Sequence, residues 1–128
     1  GGNIKGQRAE ETAGFSVALS ANGNRVAIGA PTGVVGSEIL PGAVRIFDFQ
    51  ENSWTQVGED IFGTLGDGTG LRVSLSADGN RVAISAYRYT GTMGANAGIV
   101  RIFDNQEGAW TQVGKDLEGT AVKVVPEL

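Results

Sequence analysis

The sequence predicts an all-β chain built from two tandem copies of one four-stranded antiparallel unit. Three observations predict it. The first is internal identity. Residues 15–30, FSVALSANGNRVAIGA, and 71–86, LRVSLSADGNRVAISA, share 11 of 16 positions at an offset of 56. Residues 42–63 and 98–119 share 15 of 22 at the same offset. The second is a period of two in the apolar positions, with no 3.6-residue stripe that would suggest a helix. The third is turn chemistry at fixed places. The chain holds 21 glycines in 128 residues, most of them at equivalent positions of the two copies.

Each unit contains four strand-like runs. In residues 15–20, Val17 and Leu19 alternate with Ser16, Ala18 and Ser20, and residues 71–76 repeat the pattern. Asn22-Gly23 and Asp78-Gly79 follow, and such pairs between apolar runs mark hairpins because both residues tolerate positive φ. The second run covers 25–30 and again 81–86. The third covers 43–49 and 99–104, where Val44, Ile46 and Phe47 suit a pleated surface. After a polar turn, QENS or QEGA, the fourth run starts at Trp54 or Trp110 and extends over 54–61 in the first copy.

The copies divide the chain into a first unit at 7–63 and a second at 64–119. Residues 1–6, GGNIKG, resemble the EDIFG that precedes the second unit and stand as the tail of a preceding one. Residues 120–128 diverge from the pattern. The chain starts at Gly1 with no Met or signal peptide, as expected of a processed or excised chain. Both faces of the first two strands are apolar or small, at Ala18, Ala27, Ala30, Ser76 and Ala83, and small residues on the second face predict that another sheet packs closely there.

Composition narrows the function classes. Ten basic against 14 acidic residues leave a net charge of −4, and the basic ones are scattered, which argues against a nucleic-acid or anionic-membrane partner. No 18-residue apolar stretch is present to span a membrane. Without cysteine there is no thiol chemistry, and without histidine the commonest general base and transition-metal ligand are missing. An enzyme is therefore not expected.

GAVRIFD at 42–48 and GIVRIFD at 98–104 resemble the third strand of a WD-type propeller blade, with Phe in place of the usual Trp. The runs ALSANGNRVAIGAP and SLSADGNRVAISAY are more similar to the FG-GAP, integrin-like repeat, whose units also carry Trp-Thr-Gln and Asp-Ile-x-Gly segments. The resemblance covers about residues 3–119 and implies tandem four-stranded antiparallel blades of propeller type. Such repeats are common in large secreted and surface proteins of aquatic microbes and algae, which implies an extracellular or cell-surface location. Calcium-binding members carry a D-x-D-x-D-G loop. The matching stretches here offer only Asp67 in GDGTG and the run AEETAG at 9–14, so neither a metal site nor a cofactor is carried over. Closed propellers use about four to eight blades. Two units alone would leave apolar faces open, so the expected partner is protein: other copies of this chain or the rest of a longer one.

The remaining candidates weigh as follows. Asp48 and Asp104 end the third strand, three residues after Arg45 and Arg101, and are expected as turn acceptors with a framework salt bridge. Trp54 and Trp110 are expected as structural anchors, with sugar stacking as the alternative. The pairs Glu10–Glu11 and Glu59–Asp60 are expected on solvated surface, and GDGTG at 66–70 as a turn. Loops 31–41 and 87–97 have equal length and almost no identity between well-matched strands. Partner recognition is expected there, with Tyr87, Arg88 and Tyr89 foremost, against the alternative of plain drift. The reading is a non-catalytic structural and interaction module, the building block of a larger assembly. The alternative is a carbohydrate-binding, lectin-like propeller.

Overall fold

The structure of the chain, a computed structural model, describes residues 1–8, 10–35, 38–88 and 97–119. Every helix-length or strand-length element among them is a strand, so the chain is all-β as predicted. The first sheet contains β1 (Ser16–Leu19), β2 (Arg25–Ala30), β5 (Ala43–Gln50), β6 (Ser53–Gln56) and β7 (Ile61–Phe62), while β3 (Gly33–Val35) and β4 (Glu38–Leu40) pair as a separate hairpin. The second sheet contains β8 (Val73–Leu75), β9 (Arg81–Ala86), β10 (Ile99–Gln106), β11 (Ala109–Gln112) and β12 (Leu117–Glu118). Both sheets are antiparallel, and equivalent pairs recur 56 residues on: Val26 faces Phe47, and Val82 faces Phe103.

The turns explain the strand boundaries. At 20–24 the Ser20 amide donates to the Arg25 carbonyl and the Gly23 amide to the Ser20 carbonyl. The Asn22 carboxamide oxygen accepts from the Ser20 hydroxyl and the Asn24 amide, fixing the loop locally. Asp78 does the same for Ser76 and Asn80. The QENS turn is tighter. Glu51 and Asn52 both have positive φ, 49° and 66°, the mirror-image two-residue turn whose twist matches the flanking strands.

Two expectations need correction. The fourth strand is not continuous over 54–61. β6 and β7 lie along the same edge of β5, separated by a bulge in which residues 57–60 oppose only 45 and 46. Gly58, at φ +70°, turns the chain out, and Asp60 is thereby brought onto Arg45 and Gln56. The same interruption recurs at 113–116, where Asp116 meets Arg101 and Gln112. Loop 31–41 also differs from expectation: much of it is the β3–β4 hairpin. The divergent 120–128 segment lies outside the described residues.

The two sheets share one core. Ala27, Val44, Ile46 and Ile61 of the first sheet pack with Val82 and Ile84 of the second, and Val73, Leu75, Phe103 and Trp110 lean on them. Strand alternation makes this informative. Val82 and Ile84 are the equivalents of Val26 and Ile28, which lie on the opposite face of their sheet from Ala27 and Ile46. The sheets therefore stack in the same sense, the tail face of the first against the head face of the second. The prediction of a sheet over the small-residue face holds for Ala27. The other face of the first sheet has no sheet over it: it is buried at Val26, Arg45 and Phe47, where Glu11 and Gly1 lie along β5 and β6, and bare along β1. Val17 and Leu19 are 62% and 60% exposed, whereas their equivalents Val73 and Leu75 are half-buried against the core.

Candidate functional site

The contact between the sheets is built from side chains that recur in both units. The Trp110 indole donates to the Val57 carbonyl at 2.9 Å, and Gly58 lies against the indole edge, where a Cβ would collide. Arg25 is held by both oxygens of Asp48, at 2.5 and 2.9 Å. So held, its guanidinium reaches across to the Gly79 carbonyl and the Asn80 side chain and sits 5.9 Å from the Trp110 ring centre. The Asp48 hydrogen bonds raise the Arg25 pKa further above its ordinary value. Beside them the Ala21 amide donates to the Ala77 carbonyl at 2.8 Å, and the Ser16 hydroxyl to the Gly70 carbonyl at 2.9 Å. Gly29 has no Cβ, which is what lets the Gly70 carbonyl approach β2.

Each of these groups has an equivalent at an end of the two-sheet stack. Trp54 lies obliquely on Phe49 with ring centres 5.1 Å apart, and its N–H finds no acceptor among the described residues. Arg81 is gripped by Asp104 at 2.6 and 2.8 Å, a hydrogen-bonded pairing that lowers the Asp104 pKa. Among the described residues it makes no inter-sheet hydrogen bond like that of Arg25, and its side chain is 56% exposed against 16% for Arg25. Asp48 and Asp104 thus form the salt bridges, but with β2 and β9 arginines and not with Arg45 and Arg101. Residues three apart on a strand point to opposite faces and cannot pair.

Arg45 instead belongs to a buried ionic cluster. Glu11 accepts from Arg45 Nη1 and Nη2 at 2.6 and 2.9 Å, from Arg8 Nε at 2.8 Å and from the Gln7 amide at 2.6 Å. Asp60 takes Arg45 Nε at 3.0 Å. Burial alone would raise the Glu11 carboxyl, but the Arg45, Arg8 and Gln7 donors outweigh it and hold the pKa at about 2. Of the pairs expected on solvated surface, Glu10 and Glu59 are exposed, Asp60 is half-buried and Glu11 is 2% exposed. The clue was Arg45 itself: a cation within the apolar run of a central strand requires a carboxylate nearby. The equivalent of Glu11 is Asp67, also buried. One methylene shorter, it turns back to accept from the Thr64 amide and hydroxyl and the Thr69 amide, closing the GDGTG turn.

Of the loop candidates, Tyr87 packs on Gly68 of that turn, and the Arg88 guanidinium lies 5.0 Å from the Tyr87 ring centre. The Arg88 amide donates to the Asp67 carbonyl, and Tyr89 lies outside the described residues. Tyr87 and Arg88 do not line a cleft of about 640 Å3 that runs between the units beside residues 58–64 and Trp110. No three acidic side chains converge as a metal site among the described residues, and none of their helices is long and apolar enough to cross a membrane. Among known proteins, no family model matches the chain and no curated sequence matches it significantly.

Proposed function

We propose that the chain is a non-catalytic structural and interaction module, the building block of a larger assembly of propeller-type blades at the cell surface or outside the cell. One observation carries the assembly reading. Val17 and Leu19 are exposed at the same positions where Val73 and Leu75 are covered by a neighbouring sheet. Contiguous apolar surface of this kind marks an interaction face. The extracellular and FG-GAP-like parts of the reading rest on the sequence resemblance. Two observations support the non-catalytic part: histidine and cysteine are absent, and Asp48, Asp104 and Glu11 are each committed to arginine.

The cleft beside Trp110 keeps a glycan-binding reading as the alternative. The Trp110 edge facing Gly58 is already occupied there, and its N–H is spent on Val57. Light scattering across a wide concentration range tests the first reading. We expect a mass that rises above the 13.2 kDa of one chain. A constant 13.2 kDa at every concentration would overturn it, and selective retention on a glycan array would then favour the alternative.

A further inference from the structure

We propose that copies of this chain dock head to tail, the second sheet of one copy covering the first sheet of the next through the contacts that join the two sheets within a chain. This rests on the assembly reading and names its partner and its geometry. The two units are related by a shift of 56 residues along the chain. The contact inside the chain is heterologous: it joins the tail face of one unit to the head face of the other. Such a contact leaves one face of each kind without a covering sheet, the head face lined by Gly1 and Glu11 along β5 and β6 and bare along β1, and the two faces carry equivalent groups.

The free groups match the used ones. On the head face, Trp54 offers an indole N–H with no acceptor among the described residues, where Trp110 uses the Val57 carbonyl. The equivalent acceptor on the tail face is the Val113 carbonyl of another copy. In the other direction, Arg81 is presented by Asp104 as Arg25 is by Asp48. Its targets, equivalent to Gly79 and Asn80, are the Gly23 carbonyl and the Asn24 side chain of the next copy. Apolar surface fits likewise. Leu117, 58% exposed, occupies the place of Ile61, which is buried in the core, and would meet Val17 and Leu19.

Residues 1–6 show the shape of the incoming chain. Gly1 rests against Trp54 and the Asn52 carbonyl as Gly58 rests against Trp110 and the Gly108 carbonyl. No hydrogen bond ties residues 1–6 to the rest of the described chain, so the 114–119 segment of another copy can take their place. The translation is inexact at one point. Ser85 stands where Gly29 admits a carbonyl, so the contact between copies is wider there than the contact within a chain.

Complementary variants test the docking. Val17→Lys with Leu19→Lys destroys the head face, and Val113→Lys with Leu117→Lys destroys the tail face. All four side chains are exposed in the single chain, so each variant should fold, as circular dichroism and urea unfolding would verify. If a double variant does not fold, the single Leu19→Lys and Leu117→Lys variants carry the same test. Wild type should associate, and each variant alone should do so at least about tenfold more weakly. An equimolar mixture should recover a species of twice 13.2 kDa and nothing larger, because only one good head and one good tail remain. If wild type associates and the mixture does not recover, the head-to-tail contact is wrong while the assembly reading stands through another surface. If wild type stays at 13.2 kDa at every concentration, both fall.

Discussion

Replacing Glu11 with Gln should cost the fold about 3 kcal/mol at neutral pH. The carboxylate is almost fully buried and accepts from Arg45, Arg8 and the Gln7 amide. Its pKa lies at about 2 against an ordinary 4.5, because those donors overcome the effect of burial. At about 1.4 kcal/mol per pKa unit, that gap corresponds to roughly 3 kcal/mol of differential stabilisation of the charged form. Losing one partner of a buried pair typically costs about 3–5 kcal/mol, which agrees. The folded value lies below the unfolded one. The contribution is therefore complete above about pH 4.5 and disappears as pH falls through about 2. Urea unfolding of wild type and Glu11→Gln at pH 7 and pH 3 measures it. The difference should shrink by about half or more at pH 3. Glu10→Gln, at the exposed neighbour, should stay within about 0.5 kcal/mol of wild type at both. A Glu11→Gln penalty below about 1 kcal/mol, or one equal at both pH values, would refute the cluster as an anchor of the segment before β1.

Two further substitutions separate the fold from the assembly. Trp110→Phe removes a hydrogen bond and packing inside the chain and should lower unfolding stability by about 1–3 kcal/mol; Trp54→Phe should leave unfolding within about 0.5 kcal/mol and weaken self-association, read by light scattering. Ser85→Gly should tighten association between copies by admitting the closer approach that Gly29 gives within the chain. Gly29→Ala, which drives a methyl group onto the Gly70 carbonyl, should destabilise the chain by about 1–3 kcal/mol in urea.

The strands were legible because their signals are local. Alternation and Asn-Gly or Asp-Gly turns placed β1, β2 and β5 to within a residue or two. The bulge at 57–60 was not legible, since a lone glycine in Gly58-Glu59-Asp60 does not reveal that Asp60 is wanted by Arg45. Glu11 was misread for a related reason. Its partner Arg45 is 34 residues away, and sequence adjacency to Glu10 suggested surface. The role of Val17 and Leu19 was hidden differently. An apolar position is expected inward, and only the stacking order of the sheets shows that the first copy turns these two outward. Trp54 and Trp110 look identical in the sequence, yet of the two only Trp110 hydrogen-bonds across to the other sheet among the described residues.

Single-cysteine cross-linking tests the head-to-tail order most directly, because the chain has no cysteine of its own. Within a chain the Ala21 amide bonds the Ala77 carbonyl at 2.8 Å. A backbone hydrogen bond of that length keeps the two Cα atoms inside the roughly 4.4–6.8 Å window a disulfide spans. Translated by one unit, Ala77 of one copy meets Ala21 of the next. Under mild oxidation, a mixture of Ala21→Cys and Ala77→Cys chains should give the mixed dimer well in excess of either homodimer. Equal yields of the three dimers, or an Ala21→Cys homodimer in excess, would contradict it.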